Sequence, residues 1–139
     1  MLFRSGEPVG PEAGLDLLPP DRSGAWQALA DGTWREGAPE SLRGNGFTVT
    51  ALYAALHAVE RARDAAGSGH EAEGQFRAGI TAAVAIGEDT DTVAAIAGAL
   101  LGAQLGVGAI PVAWRDVVHG WPDMDAGALS RMAGQIVRG

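Results

Sequence analysis

The sequence predicts an all-α protein, and three observations carry that expectation. Apolar residues recur at helical spacing in several separate stretches after Gly46. Glycine and proline punctuate the chain between those stretches, where helices start and stop. No segment alternates apolar and polar residues with the period of two that a solvated strand needs. "TVTALYAAL" opens on β-branched residues, but its apolar set continues on the helical period.

Taken in order, residues 1–43 form an irregular segment. Five of the seven prolines (Pro8, Pro11, Pro19, Pro20 and Pro39) fall there. A short helix is expected around Ala25 to Ala30, with Trp26 and Trp34 as apolar anchors onto the body. Residues 44–139 form the helical portion. Its first helix carries Val49, Leu52, Tyr53, Leu56 and Val59 and stops at "GSG", Gly67 to Gly69. A second helix spans Glu71 to Ile86, with Phe76, Ile80, Ala83 and Val84 on its apolar side. The third starts at "DTDT" and runs to Leu105, before "GVGAIP" breaks it. Two shorter helices, Val112 to His119 and Asp125 to Val137, flank Pro122.

The totals narrow the function. A chain of 139 residues with 19% charged and 47% hydrophobic residues has an ordinary globular balance for one domain. A net charge of −7 argues against a nucleic-acid partner, which demands a basic face. The absence of cysteine removes disulfides, thiolate metal sites and thiol nucleophiles, and it fits a cytoplasmic setting. No apolar core of signal-peptide length opens the chain. The 22 residues from Val93 to Trp114 lack any charge and could span a bilayer by length. They are mostly Ala and Gly, with Gln104 inside and Pro111 near the end, so no membrane is expected.

Asp89, Thr90, Asp91 and Thr92 are the strongest chemical feature. Hard cations take oxygen ligands, and two carboxylates with a hydroxyl at a helix start supply three. Helix starts also favour the ionised carboxylate. Plain N-capping is the other reading, since Asp and Thr are preferred caps, although one residue suffices for a cap. It is no EF-hand, whose Asp-x-Asp-x-Asp-Gly loop and closing glutamate are missing.

Other signals are weaker. His57, His70 and His119 have no His or Cys at ligand spacing, so zinc is not expected. No serine sits in a nucleophile elbow, and there is no phosphate-binding glycine fingerprint. "RGNG", Arg43 to Gly46, reads as a turn that could admit a phosphate to a helix start. Gly98, Gly102 and Gly106 recur every four residues. Glycine destabilises a helix by about 1 kcal/mol relative to alanine, so this stripe is expected to mark a close approach of two backbones.

"GEDTDTVAAIAGALLGAQLGVGAIPVAW" resembles the C-terminal signature of the ADP-ribosylglycohydrolase family, of the dinitrogenase reductase-activating type. "GNGFTVTALYAALHAV" is similar to the helix that precedes it there. Order and spacing of both blocks agree from Gly44 to Trp114. The resemblance implies an all-α, bundle-like fold with two Mg2+ or Mn2+ ions in a central cleft. It also implies hydrolysis of the glycosidic bond between ADP-ribose and an acceptor, either a protein side chain or a small molecule. On the family's pattern the metal ligands here are Asp89, Asp91 and Thr92, and Thr90 is not carried over.

Two departures qualify the match. Glu88 stands where the family usually has a small or amide residue, which adds a carboxylate expected to crowd the site. The family's Thr-Asp-Asp cluster and Gly-Asp-rich loop do not occur in the chain. The resemblance therefore implies the C-terminal portion of such a hydrolase, with the general base in an N-terminal half, and neither catalytic nor substrate-binding residues are assigned. An inactive metal- or partner-binding module derived from that family is the alternative.

Overall fold

Three alanine-rich helices make the body of the protein. The structure, a computed structural model, describes residues 11–21, 23, 26, 27, 31 and 42–138. After a 3-10 turn at Pro11–Leu17 come α1 (Thr48–Gly67), α2 (Ala72–Ala85) and α3 (Thr90–Leu105). A 3-10 turn at Val107–Ala109 and the one-turn helix α4 (Val112–Arg115) follow. The strands β1 (His119–Gly120) and β2 (Met124–Asp125) and the helix α5 (Ala126–Arg138) complete the order.

The three long helices lie within a residue or so of their expected limits, because each is bounded by a local stop. At the end of α1 the Ser68 hydroxyl donates to the Asp64 carbonyl at 3.1 Å, and Gly69 takes a left-handed φ of +85°. α2 is followed by Gly87 at φ +88°, and α3 by Gly106 at φ +80°. Leucine or alanine would be strained in that region, so glycine ends each helix cleanly.

α1, α2 and α3 pack against one another through small residues. Ala54, Ala55, Ala58, Ala83 and Ala97 are wholly buried, together with Tyr53, Leu42 and Val93. A second cluster gathers Val59, Ala62, Phe76, Leu101 and Ala109 toward the other end. Trp26 packs on the first cluster as expected, its ring 6.4 Å from that of Tyr53. Trp34 and most of the expected helix at Ala25 to Ala30 lie outside the described residues, although Trp26 and Gln27 are helical.

The expected role of the glycine stripe is overturned. A Cβ on Gly98 would sit 3.5 Å from Ile80 Cδ1, an ordinary contact, and one on Gly102 would meet nothing within 4 Å. Gly106 acts as a helix stop. The close approach is made instead by Gly79 of α2. A Cβ there would fall 2.5 Å from Leu101 Cδ1, 3.1 Å from Ala62 Cβ and 3.2 Å from the Ala58 carbonyl.

The C-terminal part differs more. Helix α4 ends at Arg115, short of the expected His119, and a two-residue antiparallel ladder pairs His119 with Asp125 and Gly120 with Met124. Strands this short cannot show a period-two pattern in sequence. Trp114 holds α4 to α2, with its ring centroid 6.2 Å from that of Phe76 and 5.0 Å from the Arg77 guanidinium. Asp125 precedes α5 and accepts from the Ala128 amide at 2.6 Å. Leu129, Met132 and Ile136 of α5 are exposed. No helix among the described residues is long and apolar enough to cross a membrane. The uncharged stretch from Val93 is divided at Leu105 between α3 and the turn after it.

Candidate metal-binding turn

The oxygen-rich cluster lies where expected, on the first turn of α3, and that turn is built by contacts with the start of α1. Asn45, just before α1, has no exposed surface. Its side-chain nitrogen donates to the Gly87 carbonyl at 3.1 Å, and its side-chain oxygen accepts from the Asp89 amide at 2.9 Å. Next to it the Gly44 amide donates to the Glu88 carboxylate. The "RGNG" segment is thus a turn, and it is docked on the turn that opens α3. It brings the amino ends of α1 and α3 together.

Between the two Asn45 contacts lies Glu88, at φ +60°, a left-handed conformation that a glutamate rarely adopts. The Thr90 amide donates to its carbonyl at 2.8 Å, which closes the turn immediately before the helix. The carboxylate expected to crowd the site is instead engaged by the Gly44 amide.

Asp89 occupies the N-cap position of α3, yet its side chain makes no capping hydrogen bond. It is half-buried, and its Oδ2 lies 3.9 Å from the point a Gly46 Cβ would take, an ordinary contact that places Asp89 beside the entry to α1. Asp91, two residues on, is exposed, and its carboxyl interacts with that of Asp89. The Asp89 side chain first, then the backbone amides of Thr92 and of Asp91 itself, hold the Asp91 carboxyl below the usual carboxylate range. Thr92 follows on the same turn with its side chain exposed, and Thr90 is half-buried.

The structure therefore brings Asp89 and Asp91 together and places Thr92 beside them, and Asp89, at the N-cap, makes no side-chain cap. The donors are all oxygen, which suits magnesium or manganese rather than zinc or copper. They are few: among the described residues no group of three or more His, Asp or Glu side chains could hold a metal ion. None of the three histidines joins the turn. His57 lies within α1, half-buried, while His70 and His119 each hydrogen-bond a nearby backbone carbonyl through Nδ1 at 3.0 Å.

A sequence model described as ADP-ribosylglycohydrolase matches residues 10–138. The chain belongs to the ADP-ribosylglycohydrolase family. The match extends on both sides of the Gly44 to Trp114 stretch that carried the resemblance, and it agrees with the all-α architecture. Membership gives the chain its general class, a glycohydrolase. No curated protein and no solved structure matches it significantly.

Sequence reasoning missed Asn45. Its signal is slight: one amide residue between two glycines immediately before a helix. Its partners lie 42 and 44 positions further along the chain.

Proposed function

We propose that the Asp89–Thr92 turn is one half of a two-metal site for Mg2+ or Mn2+, in a hydrolase that cleaves the glycosidic bond between ADP-ribose and its acceptor. The acceptor is a protein side chain or a small molecule, and the setting is the cytoplasm. The observation that carries the reading is the pairing of Asp91 with Asp89, whose side chain makes no capping bond, on the first turn of a helix packed against the body, in a chain of this family.

Asp89, Asp91 and Thr92 would hold the ions. A full shell takes about six oxygens, so the remaining ligands and the general base come from an N-terminal half of the dinitrogenase reductase-activating type. The bound ions would polarise the anomeric centre and lower the pKa of a water. The residues of this chain bind and orient. Asp89 and Asp91 supply carboxyl oxygens at a fixed place, and the packed α3 holds the turn rigid.

Calorimetric titration with manganese tests the metal part. Asp91→Ala is expected to weaken binding while far-UV circular dichroism stays nearly unchanged, because the side chain is exposed. Equal affinity in variant and parent would refute it. Release of ADP-ribose from ADP-ribosyl-arginine or ADP-ribosyl-serine, in the presence of Mg2+ and the N-terminal half, tests the chemistry. The short ligand set among the described residues favours a second reading, an inactive module that keeps one metal-binding turn. Manganese binding without any ADP-ribose release, even with that half added, would establish it.

A further inference from the structure

We infer that Asn45 is a positioning residue for the metal turn: its buried carboxamide fixes the backbone on both sides of Glu88 and so sets where the Asp89 and Asp91 carboxylates stand. The inference rests on the metal reading of that turn. Asn45 is buried completely, and both ends of its amide are engaged. The orientation of that amide is chemically forced. The Gly87 carbonyl can only accept, so the nitrogen must face it, and the Asp89 amide can only donate, so the oxygen must face that.

The chemistry explains why an amide stands there. An aspartate would turn a carboxylate oxygen toward the Gly87 carbonyl, with no proton between them. A serine could satisfy one partner but not both. Between the two anchored points the chain passes through the left-handed Glu88, a conformation that persists only when its surroundings hold it. Asp89 is itself one of the two anchored residues, and Asp91 lies against its side chain. Both hydrogen bonds of Asn45 go to backbone atoms, not to a carboxylate. Asn45 acts through the Asp89 backbone, as groups behind metal ligands commonly do.

The test is manganese affinity, followed by water-proton relaxation, in the parent and in Asn45→Ala, Asn45→Ser, Asp91→Ala and Leu101→Ala. Loss of a group that orients a ligand commonly weakens metal binding about 10–100-fold, and Asn45→Ala should fall in that range. Asn45→Ser, which keeps one of the two bonds, should fall between it and the parent. Leu101→Ala empties part of the distant core cluster and should leave the affinity of the folded protein unchanged. Hydrogen exchange gives a readout without metal: the Asp89 amide should exchange faster in Asn45→Ala while that of Ala97 stays slow. Parent-like affinity in Asn45→Ala, or an unchanged Asp89 amide, overturns the inference. If Asp91→Ala still loses manganese in that case, the metal reading stands. Should Asn45→Ala not fold, parent-like affinity in Asn45→Ser overturns the inference equally. A parent that binds no manganese overturns the metal reading, and this inference with it.

Discussion

Replacing Gly79 by alanine forces a methyl group into the point where α1, α2 and α3 converge. That methyl would lie 2.5 Å from Leu101 Cδ1, 3.1 Å from Ala62 Cβ and 3.2 Å from the Ala58 carbonyl oxygen. The first contact can be eased only by turning Leu101, which is itself buried. The other two involve a short side chain and backbone on α1, so relief requires α1 and α2 to separate by a few tenths of an ångström. Overpacking of this kind costs about 1–3 kcal/mol, and more when backbone must shift. Alanine returns about 1 kcal/mol through helix propensity. The net expectation is a loss of up to about 2 kcal/mol, which lowers the melting temperature by up to about 8 °C in a chain of this size. Gly98→Ala and Gly102→Ala are the controls. Neither new methyl meets a tight contact, so each should be neutral or stabilising by up to about 1 kcal/mol. Thermal and urea denaturation followed by circular dichroism measures all three. A Gly79→Ala protein that melts above the parent would refute the packing argument, as would Gly102→Ala being the more damaging of the two.

Two further outcomes follow from local geometry. Asp125→Ala removes the acceptor of the Ala128 amide at the start of α5, which should cost about 1 kcal/mol and fray that helix. Faster exchange at Ala128 with α1–α3 unaffected is the expected pattern, and unchanged exchange would count against the cap. Burial first, then the charge of Arg61, push the His57 imidazole below its ordinary value, while Glu60 and Asp64 oppose them. The folded chain therefore binds fewer protons at this site than the unfolded chain once the pH falls below about 6.5. The stability from neutral His57 is fully present above that pH and is lost as the pH falls through the lower folded value. His57→Gln should flatten this part of the stability–pH curve, and parallel curves for parent and variant would exclude the effect.

The helices were legible because their signals are local. Tyr53, Val59, Phe76 and Leu101 sit on helical periods, and Gly69, Gly87 and Gly106 stop the elements they follow. The packing between helices was less legible. A stripe at every fourth position shows which glycines share a face of α3, but not whether anything stands against that face. The decisive glycine was single and lay on α2, where no repeat marks it. The site was half-legible in the same sense. Asp89, Asp91 and Thr92 announce oxygen chemistry by composition, whereas the fate of the Glu88 carboxylate and the role of Asn45 depend on contacts more than 40 positions away. Periodicity within one helix carries no information about such contacts. The end of α4 at Arg115 was missed for a similar reason: the ladder that follows has only two residues in each strand.

The two bonds of Asn45 also order events in time. They join positions 42 and 44 residues apart, so the local bond from the Thr90 amide to the Glu88 carbonyl is only part of what shapes the turn. A chain that has formed its helices separately has already gained their local contacts, while the loop that joins Asn45 to Gly87 still has to close. The oxygen-rich turn is therefore expected to take its final shape after the helices have formed. Manganese uptake, recorded in a refolding experiment, would then serve as a clock for the closing of the helical body, lagging behind the return of helical circular dichroism.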